Sequence, residues 1–322
     1  MSSSPQAKRH AAITGGSKGI GLEIARHLLR HPAAGVDKVS LLARNERDLL
    51  AAKKELEKEY PVAKVQVLVA DTTDESQLSS QLAKARDALG PIDILVCNAG
   101  LSIPKLIVDS SVKDYERQVD VNYLGAVRAV HAVLPEMLAR RSGHLVFVSS
   151  VMGVLGFAGY SSYAPSKWAI RGFADCLRNE LQGTGIRVSI AYPPDTETPG
   201  YATETALKAE LCVRVNDALG STLYPADTVA RGIVDGVVKG RYHLTPPDLG
   251  SACLVSSMTG LTRPGVYWTL VEMLLGPVLV LVKRFLTWQI DGVARRYWAE
   301  ERSSKDSSSS RPSSSCPPKK EK

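Results

Sequence analysis

Short apolar runs alternate with longer helical segments through most of the chain. The runs that predict buried strands lie at residues 9–13, 39–43, 65–70, 92–97, 145–149 and 188–192. Between them apolar residues recur at helical spacing, so that Ile20, Ile24 and Leu28 share one face of a first predicted helix. Nearly continuous apolar strands that alternate with helices predict an α/β fold, in which a doubly wound parallel sheet is covered on both faces.

The pattern changes after about residue 245, where an apolar run at 265–282 is followed by Lys283 and Arg284. A membrane-spanning helix needs roughly 20 apolar residues. This run is slightly short, contains Glu272 and is interrupted by Gly276 and Pro277. We predict membrane contact, with the segment spanning, re-entrant or in the plane, and a buried terminal helix or dimer contact is the alternative.

The two ends of the chain differ from this main part. Residues 303–322 are rich in serine and are expected to be a disordered tail. Lys319 and Lys320 resemble a dilysine retrieval signal of the endoplasmic reticulum, and solvated tail lysines are the alternative. The predicted organisation is an N-terminal arm at 1–7, an α/β domain at 8–248, a hydrophobic segment at 249–302 and the tail.

Composition and charge narrow the class of protein only slightly. With 322 residues, of which 44% are hydrophobic and 23% charged, the chain is an ordinary globular protein rather than a disordered or collagen-like one. The net charge of +7 is weak evidence for an anionic partner. The basic residues of the chain are dispersed and do not predict nucleic-acid binding. Five scattered cysteines argue for a reducing compartment and against a zinc site. We expect no metal; His27 and His31 have metal-like spacing but should stabilise a helix C-terminus.

A glycine-rich turn joins the first predicted strand to the first helix. Glycines there allow a tight turn and bring backbone N–H groups and a helix N-terminus close to a pyrophosphate. The same letters fit the nucleophile elbow of a hydrolase, which normally follows several strands rather than the first. The residues predicted to bind a dinucleotide here are Gly15, Ser17, Lys18, Gly19, Ile20 and Gly21.

The residue after the second strand indicates which dinucleotide is bound. No acid stands there to bind a ribose 2′-hydroxyl, whereas Arg44 and Lys18 can meet a 2′-phosphate, so we predict NADPH; a plain surface arginine is the alternative. Asp71 could accept a hydrogen bond from the adenine amine or could cap the next helix. Asn98 ends the fourth strand, where small neighbours let a cofactor lie against the backbone.

A tyrosine and a lysine four residues apart form the candidate catalytic pair. On a helix, Tyr163 and Lys167 share one face, and a neighbouring cation favours the phenolate, so the tyrosine can exchange a proton. Ser150 ends a strand thirteen residues earlier and could hold a carbonyl oxygen. Ser149 is the competing choice, because adjacent strand residues face opposite ways. Asn122 lies in the helical segment before that strand.

These motifs, in this order over residues 8–245, resemble the short-chain dehydrogenase/reductase family. The resemblance implies a Rossmann-like domain with about seven parallel strands, and a homo-oligomer. It implies that Tyr163 is the acid/base, that Lys167 modulates its pKa and binds the ribose, and that Ser150 orients the carbonyl. Asn122 would hold a water in a proton relay.

The stretch from Tyr192 to Gly200 reads YPPDTETPG and resembles the 3-ketodihydrosphingosine reductase subfamily. This resemblance implies NADPH-dependent reduction of a long-chain sphingoid ketone at the cytosolic face of the endoplasmic reticulum membrane. Thr196 and Thr198 would contact the nicotinamide amide or the phosphates, and turn and cap chemistry is their alternative. Two other functions stay open: a reductase of another lipid or steroid carbonyl, and a non-catalytic membrane-associated scaffold.

Overall fold

The computed structural model describes residues 8–258 and 266–309. Its main sheet has seven parallel strands in the order β3-β2-β1-β4-β5-β6-β9, and β7 and β8 form a separate small pair. The doubly wound parallel fold is confirmed. The strands are β1 Arg9–Thr14, β2 Val36–Ala43, β3 Lys64–Val69, β4 Ile94–Cys97, β5 Gly143–Val148, β6 Ile186–Ala191, β7 Thr196–Glu197, β8 Tyr224–Pro225 and β9 His243–Leu244.

Helices follow the strands as the pattern predicts. A π-helical turn, Asp120–Leu124, joins α4 to α5 without a break. The helices are α1 Gly19–Arg30, α2 Glu46–Glu59, α3 Glu75–Leu89, α4 Val112–Val119, α5 Gly125–Arg140, α6 Tyr163–Glu180, α7 Pro199–Thr205, α8 Glu210–Leu219, α9 Ala226–Val238, α10 Leu249–Met258 and α11 Val266–Ser309.

Two hydrophobic cores lie on opposite faces of the main sheet. One face packs against α3, α5 and α6, with Leu78, Val130 and Ile170 buried. The other packs against α1, α2 and α9, with Ile24 and Leu49 buried. Alternating residues of each strand supply both cores, which is why the strands read as continuous apolar runs.

The chain reverses its direction across the sheet between β1 and β4. Strands β2 and β3 lie on one side of β1, and all later strands of the main sheet lie on the other. In open α/β sheets a crevice forms at this point, beyond the carboxyl ends of the strands. The glycine-rich turn after β1 and Asn98 after β4 both open into it.

The long helix α11 contains the predicted apolar run, and it is continuous through Pro277 rather than interrupted there. Its section Met273–Ser304 is long and apolar enough to cross a membrane. The side chains of Leu274, Leu281 and Trp288 are exposed. Further along, Val293 is buried against α8.

The predicted ends of the chain fall largely outside the described residues. The predicted arm at 1–7 and the dilysine-like Lys319 and Lys320 lie outside the described residues. Helix α11 continues to Ser309, so the first seven residues of the predicted tail are helical. The domain bounds themselves stay predictions.

Candidate active site

The glycine-rich turn is packed too tightly for side chains at two of its glycines. Gly15 has a φ of +65°, and a Cβ there would stand 2.9 Å from the Cα of Ala99. A Cβ on Gly21 would collide with the carbonyl oxygen of Gly15 and would stand 2.5 Å from Nδ2 of Asn98. Glycine is therefore required here, because the turn presses directly on the end of β4.

Asn98 and Thr14 hold this turn in place. Nδ2 of Asn98 donates to the carbonyl oxygens of Thr14 and Gly15, at 3.1 Å each. Oγ1 of Thr14 accepts from the N–H groups of Asn98 and Ala99, at 3.0 and 3.1 Å. The Asn98 amide thus holds the glycine-rich turn against the end of β4. The buried Thr14 belongs to the same hydrogen-bond network, and the sequence analysis did not identify it.

The predicted 2′-phosphate residues lie at the open end of the crevice. The Arg44 side chain is 64% exposed, and its guanidinium is 4.0 Å from the Asp71 carboxylate. Lys18 is exposed and donates to Asp48 at 3.4 Å. Asp71 accepts from the N–H and hydroxyl of Thr73, and Asp74, not Asp71, caps α3. Arg44 and Lys18 can therefore leave these partners to bind an anion with little loss of free energy, since exposed ion pairs are weak.

Tyr163 and Lys167 lie together at the start of α6. Nζ of Lys167 is 5.6 Å from the centroid of the Tyr163 ring and donates to the Val148 carbonyl at 3.1 Å. Burial lowers the pKa of Lys167 to about 8. Tyr163 is partly exposed to the crevice. Burial of its hydroxyl nevertheless raises its pKa, and the negative charge of Glu204 raises the pKa further. A hydrogen bond with Ser150 lowers it. The phenol pKa is raised, not lowered as the lysine alone predicts, because desolvation dominates.

The two adjacent serines have different partners. Oγ of Ser149 donates to the Lys167 carbonyl at 2.9 Å, so that hydroxyl faces the body of α6. Oγ of Ser150 accepts from the Met152 N–H at 3.2 Å, and it is hydrogen-bonded to Tyr163. Of the two alternatives, Ser150 is the one beside the phenol.

Asn122 lies in the π-helical turn and is almost fully buried. Its Oδ1 accepts from the Leu101 N–H at 2.8 Å, and its Nδ2 donates to the Leu101 carbonyl and to the Ser166 hydroxyl, at 2.9 Å each. A Cβ on Gly100 would stand 3.2 Å from Oδ1 of Asn122 and 3.3 Å from Nζ of Lys167. The turn thus brings Asn122 and Lys167 close to the same glycine.

Thr196 and Thr198 use their hydroxyls within their own segment. Oγ1 of Thr196 donates to the Pro194 carbonyl at 2.7 Å. Oγ1 of Thr198 accepts from the Tyr201 N–H at 3.0 Å and caps α7. The methyl group of Thr198 would be 3.0 Å from a Cβ on Gly19. These contacts agree with turn and cap chemistry, and they also fix α7 beside the glycine-rich turn.

A cavity of about 1110 Å³ joins these groups. Arg44, Asn98, Ser150, Tyr163 and Lys167 line it at the sheet. The far wall is mostly apolar and comes from α8, α10 and α11. The cavity is also lined by polar residues to which the sequence analysis gave no role, and of these only Asp195 lies in a motif, the YPPDTETPG stretch; they are Ser102, Tyr160, Asp195 and Glu204.

The histidines with metal-like spacing pair with α9 instead of with each other. Nε2 of His27 is 2.9 Å from Asp227, and Nε2 of His31 is 3.6 Å from Asp235. Ligand atoms of Glu23, His27 and Asp227 lie within 4.8 Å of one another, close enough to hold a metal by distance alone. Glu23 also pairs with Arg26, so ordinary ion pairs account for the group.

Comparisons with known proteins agree on one family. A family model described as short chain dehydrogenase matches residues 9–208. A 3-ketodihydrosphingosine reductase of Bos taurus is 38% identical over 291 residues, which cover 85% of this chain and 86% of the relative. A 3-dehydrosphinganine reductase of Danio rerio is 35% identical over the same shares.

Solved structures show the same fold. Levodione reductase matches with a TM-score of 0.67 at 25% identity, covering 76% of this chain and 97% of that one. An actinorhodin polyketide ketoreductase solved with NADPH matches with a TM-score of 0.65 at 27% identity, covering 77% and 93%.

Proposed function

The chain belongs to the short-chain dehydrogenase family and is an oxidoreductase, and on that premise we propose that it reduces 3-ketosphinganine to sphinganine with NADPH. The observation that carries the proposal is the cavity. It joins Ser150 and Tyr163 to a long apolar wall that suits an alkyl chain. The names of the relatives from Bos taurus and Danio rerio support the same reaction.

The residues around the glycine-rich turn fit a nicotinamide dinucleotide. Gly15 and Gly21 leave no room for a side chain, which keeps backbone N–H groups accessible at the N-terminus of α1. We assign Ser17, Lys18, Gly19, Ile20 and Asn98 to this cradle, Arg44 and Lys18 to the 2′-phosphate, Asp71 to the adenine, and Thr196 and Thr198 to the nicotinamide end. When bound, the reduced nicotinamide supplies hydride to a carbonyl carbon.

The chain's own catalytic groups then act on the carbonyl oxygen. Ser150 holds that oxygen by a hydrogen bond, and the Tyr163 hydroxyl donates its proton to it. Lys167 is anchored on the Val148 carbonyl, and its charge stabilises the phenolate that remains. Lys167 would also bind the ribose, and Asn122 would position a water that returns the proton.

We propose that α11 holds this site at a membrane surface. Leu274 and Leu281 in its first half and Trp288 at its middle are exposed, whereas Val293 in its second half packs against α8. A helix anchored to the domain along its second half suits insertion of one apolar face better than a full span. We place the enzyme at the cytosolic face of the endoplasmic reticulum, and we expect a homo-oligomer.

Turnover by the purified full-length chain tests the proposal. We expect NADPH oxidation with 3-ketosphinganine in mixed micelles, with NADH at least about tenfold poorer, and a loss of about 10²–10⁴-fold in Tyr163→Phe. Tyr115→Phe is a matched control, since that exposed hydroxyl bonds only to Ser161 in the described part of the chain.

Two results would contradict the proposal. NADPH binding without turnover would exclude the sphingoid substrate and direct the search to other lipid or steroid ketones. Full restoration of growth by Tyr163→Phe in a reductase-deficient cell would favour a scaffold role.

A further inference from the structure

A buried carboxylate lies close to the proposed catalytic phenol. Glu204 of α7 lines the cavity, and its side chain is 15% exposed. Its Oε1 accepts a hydrogen bond from the Tyr160 hydroxyl at 2.6 Å, and the ring of Tyr160 is 5.9 Å from that of Tyr163. The carboxylate is near enough for its charge to act on both Tyr163 and Lys167.

The charges around Glu204 do not balance. Lys208, whose side chain is 4% exposed, places Nζ 3.8 Å from Oε1 of Glu204. The same Nζ donates to the Tyr201 hydroxyl at 3.4 Å, and that hydroxyl donates to Asp195 at 3.2 Å. Two carboxylates therefore share one buried ammonium group.

Other charged groups of the cavity wall are engaged elsewhere. Lys167 donates to the Val148 carbonyl, and Lys283 of α11 donates to the Ser257 carbonyl. Asp248 accepts from the Ser251 N–H at the start of α10. Arg44 lies at the nucleotide end. Of these groups, Lys167 feels the charge of Glu204, but its Nζ is held at the Val148 carbonyl, so Lys208 is the ammonium group paired with Glu204.

Burying an incompletely balanced carboxylate is unfavourable. Burial raises the pKa of Glu204, and the nearby charge of Asp195 raises it further. The hydrogen bonds from Tyr160 and Ser102 and the charge of Lys208 act in the opposite direction. A cationic ligand in the cavity would complete the balance, and beside Glu204 it would lie one aromatic ring away from Tyr163.

We propose that Glu204, supported by Asp195, is the ammonium site that recognises the amino group beside the substrate carbonyl. The inference rests on the proposed function and deepens it. In a sphingoid ketone the amino group is on the carbon next to the carbonyl carbon, so its binding site must be adjacent to the catalytic phenol. Glu204 meets this condition, and it makes the site select an amino ketone over a neutral lipid or steroid ketone.

The test compares two substrates that differ only in the amino group: 3-ketosphinganine and 1-hydroxyoctadecan-3-one. We expect the full-length wild-type chain to have a KM at least tenfold lower for the amino ketone. Glu204→Gln keeps an acceptor for Tyr160 and should raise the amino-ketone KM by about 10–100-fold. The same variant should keep the KM for 1-hydroxyoctadecan-3-one within threefold of the wild-type value. Glu204→Asp should retain part of the preference, and Glu197→Gln, an exposed carboxylate outside the cavity, should change neither KM.

Each contrary result has a distinct meaning. Equal losses on both substrates would make Glu204 a structural residue, and no loss would remove the ammonium site; either overturns the inference while leaving the function intact. If Glu204→Gln does not bind NADPH and is therefore misfolded, the KM values of Glu204→Asp for the two substrates are compared instead. A wild-type KM ratio below threefold between the two substrates would overturn the inference without any variant. A wild-type chain that binds NADPH but reduces no sphingoid ketone refutes both proposals.

Discussion

The two ends of the cavity are built by different means. At the nucleotide end, backbone groups and buried side chains hold one another: Asn98 supports the glycine-rich turn, and Asn122 supports the strand-end loop at Leu101. The opposite end is the one to which the proposed function assigns the lipid chain, and it is called the lipid end. Its wall includes side chains from α8, α10 and α11, which lie outside the main sheet. On the proposed function, we expect the strand ends to fix the reaction and the helices outside the sheet to set specificity.

Glycines show this difference directly. A Cβ on Gly21 at the nucleotide end collides with backbone, whereas a Cβ on Gly276 of α11 meets nothing within 4 Å in the described part of the chain. The glycine-rich turn has no room for a side chain, whereas α11 has room at Gly276, which stands outside the cavity lining.

The adjacent serines should show the largest difference in activity. Ser150→Ala removes the hydroxyl beside Tyr163 and should lower kcat by about 10²–10³-fold, the usual loss for one donor at a developing oxyanion. Ser149→Ala breaks the bond to the Lys167 carbonyl and should lower the free energy of unfolding by about 1–3 kcal/mol, with kcat within a few-fold. Steady-state kinetics and urea unfolding distinguish the two. A larger loss of kcat in Ser149→Ala would reverse the assignment.

The buried Lys167 should make stability depend on pH. Its pKa is about 8 in the folded chain, against an ordinary value of about 10.4 in the unfolded chain. Between these values the unfolded chain binds more protons, so the free energy of unfolding should rise with pH. Relative to Lys167→Met, the wild type should gain about 1–2 kcal/mol from pH 7.5 to 9.5 in urea unfolding. The exposed Lys54→Met should behave like the wild type, and equal profiles for Lys167→Met and wild type would contradict the lowered pKa.

Adding one methyl group should distinguish the glycine-rich turn from α11. Gly21→Ala should destabilise the fold by about 1–3 kcal/mol through overpacking and should weaken NADPH binding at least about tenfold. Gly276→Ala, its matched control, should leave NADPH affinity unchanged and stabilise α11 slightly. Fluorescence titration and thermal unfolding measure both effects. Unchanged NADPH binding in Gly21→Ala would show that the turn can relax.

Arg44 should determine the choice between the two nicotinamide cofactors. Arg44→Gln removes the charge proposed for the 2′-phosphate, so the ratio of kcat/KM for NADPH over NADH should fall by about 10-fold, as expected for one lost charge-assisted contact. Arg47→Gln, another exposed arginine of the same region, serves as control. A ratio that does not change would assign the 2′-phosphate to Lys18 or to another residue.

The exposed face of α11 should affect the chemistry least. Leu274→Gln together with Leu281→Gln should weaken binding to liposomes of endoplasmic-reticulum lipids, because each loses apolar area that the membrane would bury. Turnover of a short, water-soluble amino ketone should stay within twofold. Flotation assays measure the first effect, and flotation unchanged from the wild type would exclude this face as the membrane contact.

The strands and turns at the nucleotide end could be located from the sequence, because short motifs mark the strand ends there, while the residues assigned to the cofactor stay predictions. Six strands of the sheet are signalled by apolar runs, but β9 contains only His243 and Leu244 and is too short to show a period. The choice between Ser149 and Ser150 required the position of α6. Only their packing shows that the hydroxyls of Thr196 and Thr198 are used in a turn and a cap.

The lipid end could not be predicted, because its residues come from distant parts of the chain. Tyr160 and Glu204 are 44 residues apart and meet only in the folded chain. Likewise, hydropathy suggested a break at Pro277, yet α11 passes through it. Contacts of this kind depend on tertiary packing, which no local pattern records.

Helix α11 belongs to two surfaces at once. Leu279, Lys283, Leu286 and Ile290 recur along one stripe that lines the cavity, while Leu274, Leu281 and Phe285 point away from it. On the proposed orientation, one helix is both the wall of the reaction chamber and the boundary with the bilayer. The substrate search is then two-dimensional: encounter frequency follows the mole fraction of ketone among the surrounding lipids, and its negligible solubility in water ceases to limit the rate.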